Sequence, residues 1–404
     1  MSPGSGIFYR ARNLIEITWP YLYYSLPMEQ AYIVSAFRSP LCRAHKGGLV
    51  KVRIDDVCAS VMKEALNRVA GLDPNLIEDV AIGCAMPEGE QGLNVARNIS
   101  LLAGIPMTAG AMTINRFCGS SLTAITECAQ AIQGGNGDVF VAGGVESMSH
   151  IPMGGFNPSL NEKLMRDGAP KAYISMGETA EILAKKYNIS RAEQDEFSLA
   201  SHRKAVAAIK DGKFKEEIIS VANIDTDEGP RADTSMEALA KLKPAFLAEG
   251  TVTAGNSSQI TDGAAVCVIV SKRMVKKLKL KPLVRIVSTA VAGCDPSTMG
   301  EGPIFAVPKV LKRAGLKLKD IDLIELNEAF AAQSIAVIRG LGLAREKLNV
   351  NGGAIALGHP LGATGARIMA TLIHALKDRN KEIGLETMCV GGGQGVAMIV
   401  TRDL

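Results

Sequence analysis

From Met28 onward the chain alternates short runs rich in β-branched and aromatic residues with segments whose apolar residues return every three or four positions. That alternation restricts the fold to the α/β class, in which strands are followed by helices that cover a sheet. AYIVSAF (31–37) reads as a strand. DDVCASVMKEALNRVAG (55–71) reads as a helix: acidic residues open it, Val57, Val61, Ala65 and Val69 form a stripe, and Gly71 ends it. A strand–helix–strand unit follows. AMTI (111–114) reads as a buried strand end, SSLTAITECAQAIQGG (120–135) as a helix with Leu122, Ile125, Ala129 and Ile132 on one face, and DVFVAGG (138–144) as the next strand.

Length suggests two or three such units, since 404 residues exceed the roughly 150 expected of one domain. The net charge of +4 is small and its lysines and arginines are dispersed, which argues against nucleic acid. No apolar run reaches the ~18 residues a bilayer span needs. Eight cysteines with no CxxC pair read as reduced thiols of a cytoplasmic protein.

Residues 1–27 differ from the rest, holding the only Trp and most of the seven Tyr. Glu16 and Pro20 interrupt their apolar run and no small-residue cleavage site follows, so they do not fit a signal peptide. An added leader or an early start codon is the favoured reading, a degenerate presequence the lesser one. Residues 148–258 also stand apart, richer in Met, Asn, Asp and Lys, and read as an insertion carrying binding surface on loops. Within them SRAEQDEFSLASHRKAVAAIKDG (190–212) reads as a helix with a Ser190/Glu193 capping box, and His202 falls among charged residues on a solvated face. TDGAAVCVIVSK (261–272) and GGQGVAMIVTR (392–402) echo each other, a hint of duplication too short to establish it.

Four short segments carry chemistry. In NRFCGSS (115–121), Cys118 stands at the N-terminal edge of a helix, where unpaired N–H groups favour a thiolate. A thiol of pKa ~8.5 needs about 2 kcal/mol to ionise at pH 7, and a helix terminus supplies ~0.3–1 kcal/mol. A reactive Cys118 therefore needs a base. His359, between Gly358 and Pro360 in NVNGGAIALGHPLGATGAR (349–367), is a better candidate than His374, which lies inside a helix; a structural turn histidine is the alternative. In ETMCVGGGQG (386–395), Cys389 closes a strand and the glycines allow close backbone approach to a ligand, without P-loop or dinucleotide spacing. Zinc held by Cys118, His359 and Cys389 is a weaker reading, because structural zinc favours close ligand pairs. In IDLIELNEAFAAQ (321–333), Asn327 is placed to cap a helix, or to hold a water beside a reacting oxygen. Cys58, Cys128 and Cys267 read as core; Cys42, Cys84 and Cys294 stay undecided.

Together these segments resemble the thiolase family: NRFCGSS its nucleophile segment, NEAFAAQ its asparagine segment, NGGAIALGHPLGATGAR its histidine loop and CVGGGQG its second-cysteine turn. GTVTAGNSSQITDGAA (250–265) and GGVESMS (143–149) add to the resemblance, which runs from Met28 to Leu404. It implies two similar halves, 28–273 and 281–404, each with a mixed five-stranded sheet, stacked into a five-layered αβαβα core. The inserted 148–258 segment becomes a loop domain that binds CoA.

The resemblance also implies roles. Cys118 would be the nucleophile that becomes acylated, His359 its proton acceptor, and Cys389 the acid/base at the acetyl α-carbon. Asn327 would hold a water sharing one oxyanion site with His359, and the N–H groups of Cys118 and Gly391 would form the other. CoA, the co-substrate, would meet Ser258 at its pantetheine and Arg231 at its adenine end. Phe246, Ala254, Ala329, Phe330 and Met176 would line the channel; ordinary core packing is the alternative for Phe246 and Phe330. No metal or prosthetic group is implied. A homodimer or homotetramer is, and a complex with a hydratase/dehydrogenase subunit is compatible.

One departure bears on subtype. Short-chain biosynthetic members carry a histidine where KAYISMGETAE (171–181) has Ser175. EQGLNVARNISLLAGIP (90–106), GVESMSHIPM (144–153) and GCDPSTMGEGP (293–303) are similar to the thiolase subunit of bacterial fatty-acid oxidation complexes. The expectation is therefore thiolytic cleavage of 3-ketoacyl-CoA in β-oxidation. The alternatives are synthetic acetoacetyl-CoA chemistry and a non-catalytic lipid-binding relative. A decarboxylating condensing enzyme would lack a cysteine at 389.

Overall fold

A computed structural model describes residues 28–166 and 171–404, so the leader read at 1–27 lies outside the described residues. The first half supplies β1 (Ala31–Arg38), β2 (Cys42–Arg43), β3 (Asp79–Gly83), β4 (Gly110–Ile114), β5 (Val139–Glu146) and β6 (Thr261–Ser271). The second supplies β7 (Val284–Gly293), β8 (Leu323–Leu326), β9 (Ile383–Val390) and β10 (Gln394–Thr401). They form one ten-stranded sheet in the order β4-β3-β5-β6-β1-β7-β10-β9-β8, with β2 on β6. Among the described residues the two half-sheets pair at Tyr32–Arg285 and Ile33–Val284, so the two expected sheets meet as a single hydrogen-bonded path.

Counting outward from that joint reveals a repeat. β1, β6, β5, β3 and β4 are matched by β7, β10, β9, β8 and a lone parallel bridge between Ile324 and Leu348. In both series the first two steps are antiparallel and the rest parallel. The fifth strand of the second half is thus reduced to a bridge. Glu146 faces Gly263 of the TDGAAV run, and Cys389 faces Gly395 of the GQGVAM run. The bulged Val34 and Val287, each set between an Ile and a Ser, align the two halves, and in that alignment Cys389 matches Val145 and Glu146 matches Val390.

Helices follow in chain order: α1 (Ile54–Asn67), α2 (Val95–Leu102), α3 (Ser120–Gln133), α4 (Glu162–Arg166), α5 (Met176–Lys186), α6 (Arg191–Lys210), α7 (Met236–Ala240), α8 (Lys272–Leu278), α9 (Gly302–Ala314), α10 (Ala331–Leu341), α11 (Ala354–Leu357) and α12 (Thr364–Asp378). α1 and α2 pack outside the first half-sheet and α9 and α10 outside the second. α3 and α12 lie together between the two, in a core that includes Ile33, Leu122, Ile125, Ile269, Leu372 and Met398. Five layers result. Strands covered on both faces read as continuous apolar runs, as β1 and β6 do.

α4 to α7 all lie between β5 and β6. The capping box of α6 forms, with Ser190 Oγ accepting from Glu193 N–H. Two expectations need correction. β4 is half-exposed because it is the sheet's edge, where AMTI had read as buried. His202 is 5% exposed, because α6 packs against α10 and α11 rather than lying free on the surface.

Candidate active site

Cys118 sits in a single helical turn, Phe117–Gly119, that leads into α3. Phe117 adopts φ +42°, a left-handed conformation that a bulky residue avoids unless its surroundings impose it. Asn115 Oδ1 accepts from Phe117 N–H at 2.9 Å, and Ser120 Oγ accepts from Arg116 N–H at 2.8 Å, so the turn is braced on both sides. It packs on β9 and on the Leu361–Ala363 turn of the second half. Gly119 permits this, since a Cβ there would come within 2.9 Å of Val390.

Burial pushes the Cys118 thiol up to about 12, while the N–H groups of Gly391 and of Cys118 itself point at the sulfur and pull it back. Gly391 opens the tight turn between β9 and β10, beside Phe117 and the Met176 sulfur. Cys389, the penultimate residue of β9, is fully buried. Burial and then the nearby Cys118 hold its thiol well above the ordinary range. Its apolar neighbours are Ala180, Ala184, Val252, Met299, Ala329 and Phe330.

His359 follows Gly358, whose φ of +112° suits glycine. Its Nδ1 lies 2.6 Å from Thr364 Oγ1, and that hydroxyl donates to Pro360 O at 3.0 Å. The threonine proton being used, Nδ1 must carry the hydrogen and Nε2 is left as the acceptor. Nε2 faces Asn327 Nδ2 at 3.4 Å. Burial, then the Arg367 charge, push His359 down to about 3, so the resting imidazole is neutral. Asn327 does not cap a helix. α10 begins at Ala331, and Asn327 leaves β8 with its Oδ1 buried and unpartnered, which suits a water.

The other singled-out positions lie in the 148–258 segment or, for Ala329 and Phe330, against it. Ala329 is buried and its carbonyl accepts from Ser258 N–H at 2.9 Å, while Phe330 bridges Ser257. Phe330 meets Phe246 edge-on with ring centres 5.9 Å apart. Phe246 lies over Gly177 and is 42% exposed, so it is not core. Ala254 is exposed and Ser258 half-buried. Arg231 is exposed, and its N–H donates to His202 Nδ1 at 3.2 Å. Burial, then the Arg231 charge, lower His202 to about 4. Ser175 caps α5 by accepting from Glu178 N–H, which gives it a local structural task.

Two buried carboxylates that the sequence did not single out tie the site together. Glu328 accepts from Ser201 Oγ at 2.6 Å, Asn349 Nδ2 at 2.7 Å and Ile355 N–H at 3.3 Å, linking α6 to the histidine loop. Glu146 is the other. Their adjacency to Asn327 and to GGV was the only available signal. Among the described residues, no three His, Cys, Asp or Glu side chains converge as a metal site would need.

Residues 31–273 match the thiolase N-terminal domain family and residues 280–402 the thiolase C-terminal domain family. The chain belongs to the thiolase family. A 3-ketoacyl-CoA thiolase of Bacillus subtilis is 50% identical over 391 residues, covering 92% of this chain and 98% of that protein. One of Aeromonas salmonicida is 48% identical, covering 93% and 100%. The crystal structure of the Bacillus anthracis acetyl-CoA acetyltransferase superposes with a TM-score of 0.84 at 43% identity, covering 93% of this thiolase chain and 99% of that one.

Proposed function

We propose that this thiolase cleaves 3-ketoacyl-CoA with CoA, giving acetyl-CoA and an acyl-CoA shortened by two carbons, as the closing step of fatty-acid β-oxidation. One observation carries the reading: the Gly391 and Cys118 N–H groups meet the Cys118 sulfur, whose charge in turn bears on a second thiol, Cys389.

The chemistry follows from those neighbours. His359 Nε2 takes the Cys118 proton, and the sulfur attacks the 3-keto carbon. The negative oxygen is met by one pair of donors. The bond between the α and β carbons then breaks, leaving an acyl-thioester on Cys118 and the enolate of acetyl-CoA, which Cys389 protonates. CoA enters, Cys389 takes its thiol proton, and the CoA sulfur displaces Cys118, which regains its proton from His359. The N–H pair of Cys118 and Gly391 serves one oxyanion, and His359 with an Asn327-bound water the other. Each well-placed donor is worth roughly 3 kcal/mol in such sites. CoA lies along Ser258, Ala254 and Arg231, with Met176, Phe246, Ala329 and Phe330 against its pantetheine arm.

The deciding experiment pairs two variants. Brief exposure to acetyl-CoA should leave an acetyl adduct on Cys118 by mass spectrometry, absent in Cys118→Ser. Cys389→Ala should still acetylate but lose C–C bond exchange. No wild-type adduct in folded protein would favour a lipid-binding relative.

The Bacillus anthracis structure named acetyl-CoA acetyltransferase favours a second reading, synthesis of acetoacetyl-CoA. Ser175 in place of histidine argues for the degradative one. Turnover of acetoacetyl-CoA but not 3-ketohexadecanoyl-CoA would reverse the choice. We also propose a homo-oligomer, supported by the exposed edge of β4 with Met112, Leu101, Leu102 and Met107 around it. Association with a hydratase/dehydrogenase subunit and a cytoplasmic setting belong to the same proposal, the latter supported by eight free cysteines.

A further inference from the structure

We infer that Glu146 is a positioning residue that fastens the nucleophile's half of the molecule to the histidine's half, setting how Cys118 and His359 meet; this rests on the function proposed above. Its carboxylate is 1% exposed. One oxygen accepts from Ala85 N–H at 2.8 Å and from Gly362 N–H at 2.7 Å. The other accepts from Gln91 Nε2 at 2.6 Å and Met86 N–H at 3.2 Å, with the Cys84 thiol at 3.9 Å. Ala85 and Met86 follow β3 of the first half, whereas Gly362 belongs to the turn between His359 and α12. A single side chain therefore spans the seam.

The fit there is close. A Cβ on Gly362 would approach the Cys84 Cα to 2.6 Å, and one on Gly144 the Gly362 carbonyl to 2.3 Å. The turn bearing Cys118 packs directly on the Gly362 turn, so a shift of one displaces the other. Every group touching the carboxylate is a donor, and the Gln91 carbonyl is engaged by Ser147 N–H. No acceptor remains for a carboxyl proton, so the contacts select the anion even though burial raises its pKa. The carboxylate also acts on Cys118 as a like charge.

The test is Glu146→Gln, whose amide would turn two hydrogens toward N–H donors. Near Cys118 stand Glu146 on β5 and Cys389 on β9, and near Glu146 stand Cys84 and Cys118. Acetyl transfer to Cys118 should slow by about tenfold or more with KM for acetyl-CoA within about twofold, as expected of a misaligned pair. Alkylation of Cys118 at pH 9 should be faster than in wild type, because a negative neighbour is gone. General loosening would also hydrate Cys118 and ease its ionisation, so the buried Cys58 and Cys128 should stay unreactive to the same reagent in the variant, and their alkylation would overturn the inference. Transfer at the wild-type rate, or a loss without the faster alkylation, would overturn the inference. Should Glu146→Gln not fold, Gln91→Leu removes one donor and keeps the carboxylate; it should slow acetyl transfer less severely, and an unchanged rate would overturn the inference. Failure of the wild-type enzyme to acetylate would instead count against the proposed function.

Discussion

His359 Nδ1 and Thr364 Oγ1 stand 2.6 Å apart, and that contact determines which nitrogen of the imidazole is free. Thr364 opens α12 and spends its own hydrogen on the Pro360 carbonyl four residues back. The helix start thus fixes the tautomer of the residue that precedes it.

Thr364→Val keeps the volume and removes the acceptor. The imidazole is then free to place its hydrogen on Nε2, the wrong face for Cys118. Acylation should fall by roughly 10–100-fold, with KM little changed, since general-base contributions run to about 10²–10⁴. Single-turnover acetylation by acetyl-CoA checks this.

At rest Cys118 is a neutral thiol and His359 a neutral imidazole, with Cys118 pushed up to about 12 and His359 down to about 3. A raised thiol pKa means little thiolate at neutral pH. Alkylation of Cys118 in the free enzyme should therefore keep rising through pH 9, with no inflection near the ordinary histidine value. A plateau below pH 8, read by peptide mass spectrometry against iodoacetamide, would contradict the assignment.

His202 links pH to stability. Its folded pKa is lowered to about 4, so the unfolded chain binds a proton first as pH falls through 6.5. The stability of the neutral, buried form is complete above that value and drains away below it, by roughly 2 kcal/mol at pH 5. Melting curves of wild type and His202→Gln should converge or cross between pH 7.5 and 5. Taking their difference cancels the buried carboxyls, which titrate with the opposite sign.

Glu328→Ala would strand Asn349 and Ser201 without their acceptor. Breaking a buried network of this kind costs about 2–4 kcal/mol. Urea unfolding should show that loss. Acetylation should weaken as well, because the same carboxylate holds Ile355 ahead of His359.

Much of this was legible in the residues. The helical stripe of 55–71, the Ser190 capping box and the strand–helix–strand unit around Cys118 all rest on local patterns, and the chain follows them. The rest depends on contacts between distant segments. His202 sits among charged residues in sequence yet is covered by packing from α10 and α11. Asn327 had the chemistry of a helix cap, but the chain runs on to Phe330 before turning, which frees its side chain for His359. The echo of TDGAAV and GQGVAM was too brief to prove duplication. Strand order and direction, which no single segment encodes, make the repeat plain.

That repeat gives the chain a freedom that a symmetric pair of identical subunits lacks. Corresponding positions on either side of the joint are separate codons, so the place held by Val145 in the first half holds the Cys389 thiol in the second. Any change at one of them leaves the other untouched, so the two halves can specialise independently.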